Sequence, residues 1–227
     1  MRRQFTGGSL AIDPTGYITS PQQLARDGIL YVPESIPIYG ERLSYFIAGP
    51  PGCGKSTTAA DILSLFPKMP IFLFTDLEEE DRAFKGIPMR KMKMDADLLD
   101  ELKPEMLTSE GDCWVVFDDI DKIRDPKVSK KVIALMDNII ANGRRHNKHT
   151  IHVIATSHSL ADYKKTKYMI ENCSYWVIFP NKTINSQLKR LLSKLDLEKL
   201  NLKPFSRVFV HQNVPSFIVT DDFISTI

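Results

Sequence analysis

A chain of 227 residues, 43% hydrophobic and 26% charged, has an ordinary globular composition and suits one α/β domain or one domain with a small appendage. A formal net charge of +2 excludes any reading of partners from global charge and leaves the local clusters as the informative feature. Cys53, Cys113 and Cys173 are widely spaced and odd in number, which points to free thiols in a reducing intracellular compartment, and no apolar run approaches the length of a membrane span.

Residues 1–42 are rich in turn formers, among them Gly7, Gly8, Pro14, Gly16, Pro21, Pro33, Pro37 and Gly40. Short apolar pieces on either side of Asp13-Pro14-Thr15-Gly16 predict a hairpin, and residues 29–32 predict another short strand. The segment reads as an extended lead-in to a main domain over residues 43–227, or as an arm reaching a neighbouring subunit.

Leu43 to Ala48 is an apolar run of buried-strand character, and Ser56 to Phe66 is helix-competent. Between them lies Gly49-Pro50-Pro51-Gly52-Cys53-Gly54-Lys55-Ser56, which fits the phosphate-binding pattern G-x-x-x-x-G-K-[ST]. The glycines let the backbone wrap closely around phosphates. The turn's N–H groups and the helix N-terminus present positive partial charge to an anion. Residues 49–56 together with Thr57 are therefore the expected ATP-binding set. Lys55 is expected to reach the β- and γ-phosphates, and the Ser56 hydroxyl to ligate Mg²⁺.

Met69 to Thr75 predicts a core strand, and residues 76–81 an acidic turn. Lys85, Arg90, Lys91 and Lys93 alternate with apolar residues, which predicts an exposed strand with one basic face: an edge strand protected by lysines, or a phosphate-contacting surface. Asp95 is placed to cap a short helix over residues 96–102, and residues 104–112 read as loop. Cys113-Trp114-Val115-Val116-Phe117 then leads directly into Asp118-Asp119, as in a Walker B element at the carboxyl end of a buried parallel strand. Lying 62 positions after Ser56 with another strand between, this places the chain among NTPases that use a second acidic residue for hydrolysis. Asp118 is expected to accept a water on Mg²⁺ or to hydrogen-bond Ser56, and Asp119 to polarise the attacking water. Asn181-Lys182-Thr183-Ile184 lacks the aspartate of a guanine-reading motif, which argues against a GTPase.

Asp125-Pro126 opens a helix whose Val128, Val132, Leu135, Met136, Ile139 and Ile140 form one apolar face, with Gly143 as its stop. Arg144, Arg145 and His146 follow. Thr150 to Ala155 is the next strand, ending in Thr156-Ser157-His158 where a parallel strand points at a ligand crevice. Thr156 and Ser157 are expected to sense the γ-phosphate or the attacking water, or to cap a helix over residues 160–171. His146, His149 and His152 have metal-like spacing, but the last lies in a strand, so their rings are expected to diverge. Lys164, Lys165 and Lys167 form a compact basic cluster. Ser174 to Phe179 predicts a strand, residues 184–195 an amphipathic helix, and residues 207–211 and 216–220 a closing hairpin.

The order of residues 49–56, 71–75, 115–119, 143–146 and 151–156 resembles the genome-packaging ATPases of poxviruses and other large DNA viruses, which are similar to the FtsK–HerA superfamily of P-loop DNA translocases. The resemblance covers residues 43–195. It implies an ASCE-type P-loop NTPase with a mostly parallel central sheet flanked by helices, here with an added C-terminal β-hairpin. It implies ATP and Mg²⁺ as cofactors, and an activity that drives double-stranded DNA into a preformed capsid. Ring assembly as a pentamer or hexamer, contact with a capsid vertex or other virion proteins, no membrane, and residence in the cytoplasmic virus factory and the virion follow from the same resemblance. By position, Arg144 or Arg145 would be an arginine finger reaching a neighbour's ATP, or a helix-end arginine satisfying the helix dipole. For such a motor, Lys164, Lys165 and Lys167, with the stretch from Lys85 to Lys93, are the candidate contacts to DNA phosphates. The superfamily commonly has glutamine where this chain has Thr156-Ser157-His158. The alternatives are a HerA-like helicase or repair translocase, and a nucleotide-gated assembly protein with little turnover.

Overall fold

The strand-like runs are apolar at successive positions, not only at alternate ones, which a parallel sheet covered by helices on both faces requires. A computed structural model describes residues 4–5, 30–31, 42–77, 81–142, 149–160, 166–183, 185–194, 207–211, 217–220 and 224–226. Strands β1 (Gln4–Phe5) and β2 (Leu30–Tyr31) form a small antiparallel pair of their own. The hairpin expected around Asp13-Pro14 lies outside the described residues.

The main sheet comprises β3 (Ser44–Ala48), β4 (Ile71–Phe74), β5 (Arg90–Met92), β6 (Cys113–Phe117), β7 (Ile151–Ser157), β8 (Tyr175–Ile178), β9 (Val208–His211), β10 (Phe217–Thr220) and β11 (Ile224–Thr226). Their spatial order is β11-β10-β9-β8-β3-β7-β6-β4-β5. Every pairing from β5 through β8 is parallel, and β9, β10 and β11 continue antiparallel. The α/β fold class is thus as expected, with two corrections at the margins. The C-terminal hairpin is a three-stranded meander: Ile224–Thr226 returns on β10, a run too short to show an alternating pattern in sequence. It also extends the main sheet, because β9 pairs with β8.

The connecting helices are α1 (Lys55–Ser64), α2 (Ala96–Glu101), α3 (Pro104–Leu107), α4 (Pro126–Asn142), α5 (Lys167–Asn172) and α6 (Asn185–Lys194). Asp95 accepts the N–H groups of Asp97 and Leu98 at 2.9 and 3.4 Å, and Asp125 those of Lys127 and Val128 at 2.7 and 3.5 Å, so both expected caps form. Residues 104–112 are not all loop. Pro104 opens a one-turn helix because its fixed φ suits a first helical position, and Leu107 is buried beneath it.

Two apolar layers flank the sheet. On one face Phe46, Phe72, Val115 and Val153 meet Val132, Leu135, Met136 and Ile139 of α4 and Leu188, Leu191 and Leu192 of α6. On the other, Ile47, Leu73, Trp114, Val116 and Ile154 meet Ala59, Ile62 and Leu63 of α1. Each buried aliphatic side chain is worth roughly 1.5–3 kcal/mol, an upper estimate, so the six apolar residues of the α4 face hold that helix far more firmly than propensity does.

His149 and His152 have separate partners. His149 Nδ1 lies 3.5 Å from an Asp112 oxygen, whereas His152 is buried and its Nδ1 accepts the Leu43 N–H at 3.0 Å. Burial pushes His152 down to about 4, so the ring is neutral and structural. His146 lies outside the described residues, as does Gly143. The basic stretch is spent locally. Arg90 donates to both oxygens of Glu110 at 2.7 and 2.9 Å and lies 5.6 Å from the Phe72 ring centre. Lys91 donates to the Leu77 carbonyl, and Lys93 lies 3.8 Å from Asp95. These partners favour a protected edge strand over a phosphate-contacting surface. Among the described residues, no helix is long and apolar enough to cross a membrane.

Candidate functional site

Parallel strands deliver their carboxyl ends to one edge of the sheet, and the polar residues that follow β3, β6 and β7 meet there. The strand β4, which lies between β3 and β6 in sequence, is not the one inserted between them in space. β4 is on the far side of β6, and β7 separates β6 from the strand that feeds the glycine loop. Residues 156–158 therefore emerge between the loop and the paired aspartates. The Gly49 N–H donates to the Ser157 carbonyl at 3.0 Å, which ties the loop to the end of β7.

The loop has the features of an anion cradle. Gly52 and Gly54 have φ of 72° and 106°, values that L-residues with a Cβ rarely adopt. The N-terminus of α1 has no side-chain cap and no acidic residue in its first turn. Its leading N–H groups thus remain for an anion. Lys55 is buried, and its Nζ donates to the Gly49 carbonyl at 3.2 Å and lies 3.7 Å from Asp119 Oδ1. Pro51, Gly52 and Thr57 are exposed, while Pro50, Cys53, Gly54 and Ser56 are half-buried. The Cys53 thiol is pushed up, chiefly by burial, and is not a poised nucleophile.

Gly49 is buried and packed from two sides. A Cβ there would lie 2.7 Å from Cys53 Sγ and 2.8 Å from Phe179 Cδ2. Gly49→Ala should therefore displace the loop, costing roughly 1–3 kcal/mol and weakening nucleotide binding tenfold or more. Thermal melts with and without ATPγS check this. An unchanged melt together with unchanged affinity contradicts it.

Asp118 and Asp119 follow β6 with different environments. Asp118 is buried. Its Oδ1 accepts from Thr156 Oγ1 at 2.8 Å and its Oδ2 from Thr75 Oγ1 at 3.4 Å. Burial, reinforced by the neighbouring Asp119 charge, pushes its carboxyl up to about 6. Asp119 has φ 47°, a left-handed conformation that turns its side chain away from the strand axis. Its N–H donates to Thr156 Oγ1 at 2.7 Å. One threonine hydroxyl thus joins both aspartates. Thr156 and Ser157 are both fully buried, and Ser157 Oγ is committed to Ser159, donating to its carbonyl at 3.0 Å and accepting its N–H at 3.1 Å.

Three further side chains complete the neighbourhood. His158 Nε2 lies 3.4 Å from Asp119 Oδ2. Asp121 Oδ1 accepts the His158 backbone N–H at 3.0 Å. Phe179 packs on the loop glycines. The signals available in sequence were faint: an aspartate two places after a Walker B pair, and an aromatic at the end of a strand. Arg207, just before β9, donates to Thr58 and Asp61 of α1 at 3.1 and 3.2 Å, so the C-terminal meander is braced against the helix that carries the loop.

Of the other expected site residues, Arg144 and Arg145 lie outside the described residues, and so do Lys164 and Lys165. Lys167 opens α5 with Nζ 3.9 Å from Glu171. The structure therefore brings together the glycine loop, Lys55, Ser56, Asp118, Asp119, Thr156 and Ser157, and leaves the arginine pair and most of the lysine cluster unplaced.

A match to the ATPase family associated with various cellular activities (AAA) spans residues 45–168. Uncharacterized protein V3 of Sputnik virophage is 31% identical over 160 residues, covering 66% of this chain and 60% of that protein. The pCW3 conjugation coupling protein TcpA, solved as a monomer with ATPγS, is similar in fold with a TM-score of 0.53 and 14% identity, over 88% of this chain and 64% of that one. The cytoplasmic domain of the type VII secretion ATPase EccC of Thermomonospora curvata gives the same TM-score and identity over 93% of this chain and 28% of that one. The chain thus spans less than two thirds of the length of each of these proteins.

Proposed function

We propose, because this chain belongs to the ATPase family associated with various cellular activities, that it is an ATP-driven motor that moves double-stranded DNA, and that its task is to package a viral genome into a preformed capsid. The observation that carries the reading is the placement of Asp119 beside Lys55 at the carboxyl edge of the sheet, with β7 inserted between their strands. A carboxylate at that position is available to accept a proton from a water attacking the γ-phosphate. The virophage relative and the resemblance to viral packaging ATPases support the viral setting.

In this reading the loop N–H groups and Lys55 bind the phosphates. The donor set also fits a hard divalent cation: Ser56 offers a hydroxyl, and Asp118 a buried carboxylate met only by hydroxyls in the hydrogen bonds described above. When bound, Mg²⁺ supplies charge neutralisation of the β- and γ-phosphate oxygens. Asp118, held by Thr156 and Thr75, would support the ion through water. Asp119 serves as the base. Thr156 fixes the spacing of the two aspartates, and Ser157 fixes the turn that follows. Arg144 or Arg145 reaches into a neighbour's site, so that assembly as a pentameric or hexameric ring completes catalysis. Lys164, Lys165 and Lys167 contact DNA phosphates, giving salt-sensitive binding with little sequence preference. A capsid vertex or other virion protein is the docking partner, and the cytoplasmic virus factory, a reducing compartment, is the site of action.

The test is ATP hydrolysis with and without long double-stranded DNA, for wild type and for the Arg144→Ala, Arg145→Ala double variant. DNA should stimulate the wild type about tenfold or more, and the double variant should lose that stimulation while still binding ATP. Hydrolysis indifferent to DNA overturns the motor reading in favour of a nucleotide-gated assembly protein. Stimulation that needs no capsid component and is accompanied by strand separation favours a helicase.

A further inference from the structure

The residue that follows the fully buried Thr156-Ser157 pair also turns its side chain toward Asp119. The Thr156 hydroxyl is engaged by Asp118 and the Asp119 N–H, and the Ser157 hydroxyl by Ser159. His158 remains partly open, with its side chain 18% exposed against 27% for Asp119. Its backbone is fixed by Asp121, whose Oδ1 accepts its N–H at 3.0 Å, so the ring is delivered from a tethered position. Among the described residues its buried Nδ1 has no hydrogen-bond partner, whereas Nε2 faces the carboxylate. A neutral ring therefore keeps its proton on Nε2, the nitrogen that has an acceptor.

The two oxygens of Asp119 face different partners. Oδ2 lies 3.4 Å from His158 Nε2, whereas Oδ1 lies 3.7 Å from Lys55 Nζ and 3.4 Å from Thr156 Oγ1, a hydroxyl whose one proton is nearer to Asp118 Oδ1 at 2.8 Å. We propose that His158 is a positioning residue for hydrolysis: it holds Oδ2 of Asp119, so that Oδ1 is the oxygen left to face the attacking water once Lys55 turns to the phosphates. The proposal rests on the reading of Asp119 as the base. Without the imidazole, only the long contacts of Oδ1 with Thr156 and Lys55 orient the carboxylate, and its productive orientation becomes a minor one. Burial also holds His158 below the ordinary histidine range, with Asp119 opposing and Lys55 assisting, in keeping with a neutral donor.

The experiment uses the full chain and three variants, His158→Ala, His158→Gln and Asp119→Asn, measured for kcat and KM for ATP, ATPγS affinity and Tm. His158→Ala should lower kcat about 10- to 100-fold with KM and ATPγS affinity within about twofold of wild type. His158→Gln, whose amide N–H reaches a similar distance, should recover most of that loss. Asp119→Asn should be inactive. If Asp119→Asn is inactive but His158→Ala turns over like wild type or faster, the positioning role is wrong and the base assignment stands. If Asp119→Asn keeps substantial turnover, the base assignment itself fails. A loss in His158→Ala that Gln does not rescue, or that comes with a large rise in KM or fall in Tm, also overturns the proposal, because it marks direct nucleotide contact or a merely structural ring.

Discussion

Asp119→Asn is expected to lower ATP turnover by about three orders of magnitude while leaving ATP binding intact. The substitution changes little except the base. Asparagine adopts the left-handed backbone that Asp119 holds at φ 47°, so the turn after β6 is retained. The N–H that donates to Thr156 Oγ1 is a backbone group and survives the change. The carboxamide also still offers an oxygen toward Lys55 or His158. What disappears is the negative charge and the capacity to take a proton. Removing a charge near the γ-phosphate relieves repulsion, so ATPγS should bind as tightly as to wild type or more tightly. Single-turnover hydrolysis and a separate ATPγS titration check the two halves. Turnover within tenfold of wild type would assign the base elsewhere at this edge. Asp119→Ala is the poorer probe, because alanine in a left-handed turn adds a stability loss of about 1 kcal/mol to the chemical one.

The contrast between what the sequence discloses and what it hides is sharp at this site. The glycine loop is legible because its chemistry is local: glycine positions, the lysine and the hydroxyl are fixed by one turn and one helix start. The strands are legible because burial on both faces leaves continuous apolar runs, as at residues 113–117. Asp95 and Asp125 are legible because a cap acts on the next two or three residues. The contacts of Asp119 are not legible in the same way. They depend on β6 and β7 lying side by side with Phe117 opposite Ala155, so that residues 37 to 39 positions apart meet just beyond the strand ends. The intervening strand illustrates the same limit. Sequence order puts β4 between the loop and the aspartates, whereas strand pairing puts β7 there. Phe179 against Gly49, and Arg207 against α1, are long-range contacts of the same kind, set by packing and not by local pattern.

Asp118→Asn should abolish Mg²⁺-dependent hydrolysis and yet make the nucleotide-free protein more stable at pH 8. The two effects share one cause. Burial raises the carboxyl of Asp118 from its ordinary 3.8 to about 6. A folded-state pKa above the unfolded one means that the native protein binds this proton more tightly. The resulting stability is fully present below about pH 4 and is lost as pH rises through about 6. At pH 8 the ionised side chain therefore costs stability, by on the order of 3 kcal/mol if nothing relaxes. Asparagine removes the charge and keeps partners for both ends, since Thr156 still donates to an oxygen and Thr75 Oγ1 can accept from the amide. A gain of about 1–3 kcal/mol in the absence of Mg²⁺ and nucleotide corresponds to a Tm higher by roughly 2–10 °C for a chain of this size. The advantage should shrink steadily from pH 7 to pH 4 as the wild type takes up its proton. Saturating Mg²⁺ and ATPγS should reverse the order, stabilising wild type more than the variant by linkage. Melts at pH 8 and pH 5, each with and without Mg²⁺ and ATPγS, test both signs. A variant less stable than wild type at pH 8 without ligand would show that the carboxylate holds the edge of the sheet together and is not strained in wait for a cation.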